Sequence, residues 1–364
     1  MSTPVSAEER RDALAGQLFG AALGAMDLFG VYLGARLGLY RALAADGPLT
    51  SEGLAAAASI NERYTREWLE QQAVSGILEV DDPAAGTHER RYSIPAGHDE
   101  ALLDASSLSY VVSLARLAVG CVRPIDALAE AFRTGAGVPY ADYGIDIQEG
   151  VEEFTRPLFE SFLGTEWLPA VPDIHARLQA DPPARVADLA CGAGRSTLAI
   201  ARAYPKAEVD GIDLDAASIE HARANLAESG LAGRVRFHNR NAADPGLAGR
   251  YDLVTIFEAL HDMSRPVDVL RTARGLLAEG GTVFVGDEKI AEAFTLEPAD
   301  YERLNYGFSI LHCLPVGMVG EDPAGTGAVM RPGTVREYGL SAGFRVVELL
   351  PIENEFLSFY RLTP

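Results

Sequence analysis

From residue 185 to the end, short apolar runs alternate with longer amphipathic stretches, and no other feature narrows the fold so far. RVADLA, AEVDGIDLD, RVRFHNR, YDLVTIFEAL and GTVFVGDE read as strands. STLAIARAYP, AASIEHARANLAESG, RPVDVLRTARGLLAEG and TVREYGLSAGF read as helices, and RVVELLPI with FLSFYRL closes as a hairpin. A parallel pair of strands needs a crossover, and a helix supplies it. The alternation therefore predicts an α/β fold: a mostly parallel sheet with helices on both faces.

The preceding half reads differently. AGQLFGAALGAMDLFGVYLGARLGLYRAL is rich in alanine and glycine and apolar on several faces, so it is expected to be a helix buried against another subunit. Thr50 or Ser51 can cap a short helix, and Asn61 the next, whose apolar face carries Tyr64, Trp68 and Leu69. ILEV and RRYSI are short strands around the turn DDPAAGTHE. Helix, helix and small hairpin form a winged-helix pattern over residues 1–95. Residues 96–180 form a helical linker and lid, in which Pro157 can open the main helix. The sheet domain spans 181–364.

The net charge of −21, with Lys206 and Lys289 the only lysines, disfavours a nucleic-acid partner. No apolar run is long enough to cross a bilayer, and the N-terminus lacks the apolar middle of a signal peptide, so no membrane partner is expected. Cys121, Cys191 and Cys313 are scattered and odd in number, which fits reduced thiols in a cytoplasm.

The first sheet strand ends in DLACGAGRS. Gly192 and Gly194 let backbone approach a ligand closely where strand turns into helix. The next strand ends in GIDLD, placing Asp213 where a carboxylate can accept two hydrogen bonds from a ribose diol. The glycines are not the GxGxxG of a nicotinamide site. DLACGAG instead resembles the first motif of class I S-adenosylmethionine (SAM)-dependent methyltransferases, with Ala190 where a glycine is usual. That resemblance implies a Rossmann-like, seven-stranded methyltransferase sheet. It places Asp188 near the methionine end of the cofactor, Asp213 on the ribose, Leu214 on adenine, Asn241 and the backbone of Ala242 at the adenine edge, and Phe257 beside the cofactor. With the winged-helix pattern, it resembles bacterial small-molecule methyltransferases, which implies a homodimer joined through the N-terminal helices.

The fourth strand delivers FEALHDM to the carboxyl edge, where open α/β sheets place their chemistry. His261 and Asp262 admit three roles. Asp262 can cap the helix that starts near Pro266, leaving His261 an incidental neighbour. His261 can be a general base, because an imidazole titrates near neutral pH; the stretch resembles the LHDW of O-methyltransferases, and Glu288 or Glu321 can orient the ring. Finally, His261 and Asp262 can join His312 of FSILHCLPVGM in a two-histidine, one-carboxylate metal site, which suits a chelating substrate. Here the chain resembles methyltransferases that act on α-keto acids at carbon, which implies a divalent metal, iron or zinc, on His261, Asp262 and His312. Arg133 can pair with a substrate carboxylate, and Tyr306 can face the same cavity.

The sequence thus predicts a cytoplasmic, homodimeric, SAM-dependent methyltransferase of a small molecule. Metal-assisted C-methylation of an α-keto acid stands first and O-methylation with His261 as base second. A SAM-binding transcriptional regulator is the alternative of another class; it needs a basic recognition helix, which NERYTREWLEQQAV does not supply.

Overall fold

The computed structural model describes residues 5–364, which divide into two compact units between Val119 and Gly120. In the first unit, α1 (Ala7–Arg36) starts from Ser6, whose hydroxyl and the Glu9 carboxylate form a reciprocal capping box. Its C-terminal half docks on α4: Trp68 Nε1 donates to Gly30 O at 2.9 Å, and Asp27 accepts from Gln71 and Ser75. Only Val31 and Gly34 are buried in it. Leu14, Leu18, Phe19, Leu23 and Met26 are exposed within this one chain.

The helices α2 (Leu39–Asp46), α3 (Ser51–Ala58) and α4 (Glu62–Val74) follow. Thr50 caps α3 and Asn61 caps α4, as expected. Trp68 and Leu69 are buried, but Tyr64 is exposed and belongs to the outer face. The expected hairpin is two-residue β1 (Glu79–Val80) paired antiparallel with β2 (Tyr92–Ser93). By length and composition α1 is apolar enough to cross a bilayer, contrary to the expectation that no run was; its alanines and glycines raise the average, while Asp27 anchors it to α4.

Beyond α5 (His98–Leu103), α6 (Val112–Val122) runs across the boundary between the units, and α7 (Ile125–Thr134) and α8 (Ile145–Leu158) follow. Pro157 does not open a helix. It sits in the last turn of α8, and the backbone continues as a π-helix over Phe159–Trp167. Proline lacks the N–H that would close the α-helical bond there, so a change of winding is expected.

After α9 (Pro172–Gln179) come β3 (Arg185–Leu189), α10 (Arg195–Ala203), β4 (Glu208–Asp213), α11 (Ala216–Ser229), β5 (Val235–Asn239), β6 (Tyr251–Phe257), α12 (Pro266–Leu276) and β7 (Leu277–Glu288). The chain closes with α13 (Asp300–Phe308), α14 (Leu314–Gly317), α15 (Pro332–Ser341), β8 (Val346–Leu350) and β9 (Leu357–Thr363). The seven strands lie in the order β5-β4-β3-β6-β7-β9-β8, with β9 antiparallel to β7 and β8 and the rest parallel. One core, with Trp167, Leu198, Ile200 and Phe284, covers one face; a second, with Val254, Leu270 and Phe344, covers the other. The chain winds from β3 outward in both directions, so the crevice at the carboxyl ends of β3 and β6 is the switch point where such sheets bind ligands.

Candidate active site

The turn after β3 is built for close approach. Ala190, Gly192 and Gly194 all have positive φ, at 55°, 52° and 77°. A Cβ on Gly194 would stand 2.4 Å from the Phe237 ring, so this position admits only glycine. A Cβ on Gly192 would meet nothing within 4 Å, leaving open space above the turn. Asp213, at the end of β4, accepts from Gly192 N and Asp215 N at 2.8 Å each, which ties the turn to the neighbouring strand. Burial raises the Asp213 carboxyl, and these backbone N–H groups pull it back. Leu214 is exposed at the rim.

Three of the expected cofactor residues make contacts within the protein. Asp188 is 1% exposed and fully engaged by protein hydroxyls: Ser196, Thr197 and Thr255 donate to it at 2.6, 2.6 and 2.7 Å. It holds the turn from behind, and burial raises its carboxyl. Phe257 lies in the aromatic core among Phe159, Trp167 and Phe284. The Asn241 side chain accepts from Ala243 N at 2.8 Å and so caps its own loop, while Ala242 beside it is buried.

At the end of β6 the chain turns sharply through Glu258, a non-glycine residue at φ 48°. The turn brings His261 under the end of β7. Its Nδ1 lies 2.6 Å from Asp287 Oδ1, and both side chains are buried. Asp287 also accepts from Leu260 N at 3.1 Å and Glu288 N at 2.9 Å. A carboxylate only accepts, so Nδ1 carries a proton and, in the neutral ring, the lone pair is on Nε2. Burial alone would lower the His261 pKa, but the Asp287 carboxylate outweighs it and holds it well above the ordinary value. The orienting acid is therefore Asp287, neither Glu288 nor Glu321. Sequence reasoning missed it by one position: the GDE that ends β7 was visible, but not which of its acids turns towards β6.

Asp262 caps no helix. The N-cap position of α12 is Arg265, with Pro266 next, and no side chain bonds there. Burial pushes the Asp262 carboxyl up to about 6. His312 lies in a π-helical turn, Ser309–Cys313, which continues α13. It is 7% exposed, and its Nε2 has no hydrogen-bond partner. Tyr143 and Tyr140 stand edge-on to its ring, at centroid distances of 4.6 and 5.7 Å, and Cys313 Sγ lies 3.7 Å from Nδ1. Burial and the neighbouring His261 lower its pKa to about 4.

The expected metal triad is not assembled. Among the described residues, no three His, Cys, Asp or Glu side chains are grouped so as to hold an ion. His261 commits Nδ1 to Asp287, and Nε2 of His312 remains without partner. The residues present do not make a preformed divalent-metal site. Arg133 is exposed at the end of α7 and paired with Glu130 at 2.7 Å. Tyr306 meets Arg331, whose Nη2 donates to its hydroxyl at 2.9 Å.

Residues 180–314 match the profile described as "Methyltransferase domain", and residues 24–104 match the "Rv2258c-like winged HTH domain". The ubiquinone biosynthesis O-methyltransferase of Aromatoleum aromaticum is 32% identical over 184 residues, covering 49% of this chain and 71% of that one. The enzyme of the same name from Stutzerimonas stutzeri is 29% identical over 183 residues, covering 49% and 72%. Among solved structures, the mitomycin 7-O-methyltransferase MmcR superposes with a TM-score of 0.69 at 20% identity, covering 97% of this chain and 98% of that one. Human N-acetylserotonin methyltransferase in complex with SAM superposes with a TM-score of 0.70 at 18% identity, covering 100% and 99%. At such identities these two likenesses establish the fold.

Proposed function

The chain belongs to the S-adenosylmethionine-dependent methyltransferases, and from that premise we propose that it methylates a hydroxyl oxygen of a small molecule, with His261 as the general base. One observation carries the reading: the buried His261–Asp287 pair at the carboxyl ends of β6 and β7, beside the turn after β3. The open space above Gly192 and the carboxylate of Asp213 fit the cofactor, which when bound supplies an electrophilic methyl group on a sulfonium. Asp213 would hold the ribose and the exposed Leu214 would cover the adenine.

The rest is positioning and proton transfer. Asp287 fixes the ring and keeps the proton on Nδ1, so that Nε2 accepts the hydroxyl proton as the oxygen–methyl bond forms. Asp287 then stabilises the imidazolium until the proton passes to solvent. The expected gain from such a base is about 10²–10⁴-fold. The same reading takes the chain as a homodimer, its exposed α1 residues covered by a second copy.

Metal-assisted C-methylation of an α-keto acid is the second reading, and the partnerless Nε2 of His312 is the observation that favours it. Against it stand the ungrouped ligands and the pairing of the exposed Arg133 with Glu130. A regulator is disfavoured by α4, whose Arg63 and Arg66 pair with Glu67 and Glu62. The test is formation of S-adenosylhomocysteine from a panel of phenols and catechols. Wild type is expected to turn over at least one, and His261→Ala to lose at least about 100-fold. Turnover of keto acids alone would reject the proposal.

A further inference from the structure

We propose that His312 positions the methyl acceptor, its Nε2 holding a second hydroxyl on the carbon next to the one that bears the reacting oxygen. The inference rests on the O-methylation reading of the same site and adds the class of acceptor, a vicinal diol such as a catechol.

The backbone sets His312 beside His261. The segment that carries it, the π-helical turn and α14, lies against the chain that follows β6: a Cβ on Gly317 would stand 3.2 Å from Asp262 O. Further on, Ala324 N donates to Ser264 O at 2.8 Å and ties the same two stretches together. Cys313, one turn before Gly317, presents its thiol to both imidazoles. Its Sγ lies 3.7 Å from His312 Nδ1 and bears on His261 as well. The two rings thus flank one sulfur atom, a short span that oxygens on adjacent carbons can bridge.

Tyr140 relates this pair to the cofactor. It stands among Asp213, Asp215 and Asp262, and its ring is edge-on to His312. Asp213 is the carboxylate that would take the ribose, so one side chain reaches from the cofactor's seat to His312. The loop of Tyr140 is pinned to the His312 segment: Val138 N donates to Pro315 O and the Tyr143 hydroxyl to Leu311 O, each at 2.9 Å. His312 is therefore held in place before any ligand arrives, as a positioning group must be.

Nε2 supplies the contact. It is enclosed, in a side chain 7% exposed, and has no hydrogen-bond partner, a state that buried polar atoms rarely keep. Its role depends on the sulfur at Nδ1. With the proton on Nδ1, Nε2 accepts; with the thiol donating to Nδ1, Nε2 donates. A hydroxyl satisfies either form, whereas a carboxylate or an ammonium satisfies one. A metal would need His261, Asp262 and His312 grouped around it, which among the described residues they are not.

The test compares 4-methylcatechol with 4-methylphenol, followed by S-adenosylhomocysteine release. Wild type is expected to favour the catechol at least about tenfold in kcat/KM, and to do so equally with 1,10-phenanthroline present. His312→Leu keeps the bulk and removes the polar atoms, and is expected to bring that ratio close to one. His312→Gln, whose amide can reach the place of Nε2, is expected to restore part of it. Damage to the fold would slow both acceptors together and leave the ratio alone. Calorimetry of the same pair on protein saturated with S-adenosylhomocysteine reads the contact without turnover. If neither acceptor is methylated but His312→Leu abolishes a tighter binding of the catechol, O-methylation fails and the contact stands. If both are methylated at a ratio that His312→Leu leaves unchanged, the contact fails and O-methylation stands. A preference erased by the chelator, or absent from both readouts, overturns the inference.

Discussion

Replacing Asp287 by asparagine keeps its shape but removes the charge that orients His261. Asp287 accepts three hydrogen bonds, from His261 Nδ1, Leu260 N and Glu288 N. An amide has one acceptor atom. If its oxygen stays towards His261 and Glu288, the amide nitrogen faces Leu260 N, two donors meet, and a buried N–H is left unsatisfied at a cost of about 1–3 kcal/mol. If the amide flips, it donates to Nδ1, drives the ring proton to Nε2 and removes the base. Mixtures of the two lose activity by the same routes. The expected fall in kcat/KM is about 10²–10⁴-fold, or about 3–5 kcal/mol of transition-state stabilisation.

The pH profile separates this from mere damage. The wild-type kcat/KM should rise with pH as His261 gives up its proton, at a midpoint well above the ordinary value because the Asp287 charge opposes that loss. In Asp287→Asn the charge is gone and burial remains, so the residual limb should move to lower pH. His261→Ala and the double variant should be about equally inactive, because the two side chains act as one unit. Rates by S-adenosylhomocysteine release, measured across pH with each variant's melting checked, decide the matter. Activity within about threefold of wild type, or an ascending limb that stays in place, would refute the pairing as the origin of catalysis.

Ala190→Gly should stabilise the protein by about 0.5–1 kcal/mol, because alanine at φ 55° is strained by more than glycine's extra unfolded freedom costs; an unchanged or lowered melting temperature contradicts this. Glu288, pushed up to about 7 by burial, retains in the fold a proton that the unfolded chain loses, so stability falls as pH rises from about 4.5 to 7. Glu288→Gln should therefore be more stable than wild type by about 1–3 kcal/mol at pH 8 and equal to it near pH 4, as read by denaturant titration at both pH values. Phe19→Asp with Leu23→Asp should convert a dimer to a monomer in sedimentation, leaving the melting of the folded chain nearly unchanged, because both side chains are exposed within one chain.

Much of this was written locally. The strand–helix alternation, the glycine turn, Asp213 at the end of β4 and the caps at Thr50 and Asn61 depend on residues close in sequence, and each stands as expected. What was not legible depended on the direction a side chain takes after a strand ends. The sequence did not show that Ser196, Thr197 and Thr255 would all bond Asp188, or that Phe257 would pack in the aromatic core. The choice among the acids of GDE was equally hidden, since successive strand residues face opposite ways and the turn at Glu258 decides which one His261 meets. The π-helical turn that sets His312 between two tyrosines has no signature in the residue pattern, because an extra residue in a turn changes the facing of everything beyond it. A metal site on His261, Asp262 and His312 fits the residue types, but among the described residues their side chains are not grouped so as to hold an ion.

The most direct test of the central claim is where the methyl group goes. Wild-type protein should be incubated with cofactor carrying a ¹³C-labelled methyl group and with each acceptor it turns over, and the product read by carbon NMR. A label on oxygen, lost in Asp287→Asn, is the result the account predicts. A label on carbon, sustained in Asp287→Asn and abolished in His312→Ala, would contradict it and return His261, Asp262 and His312 to a metal site.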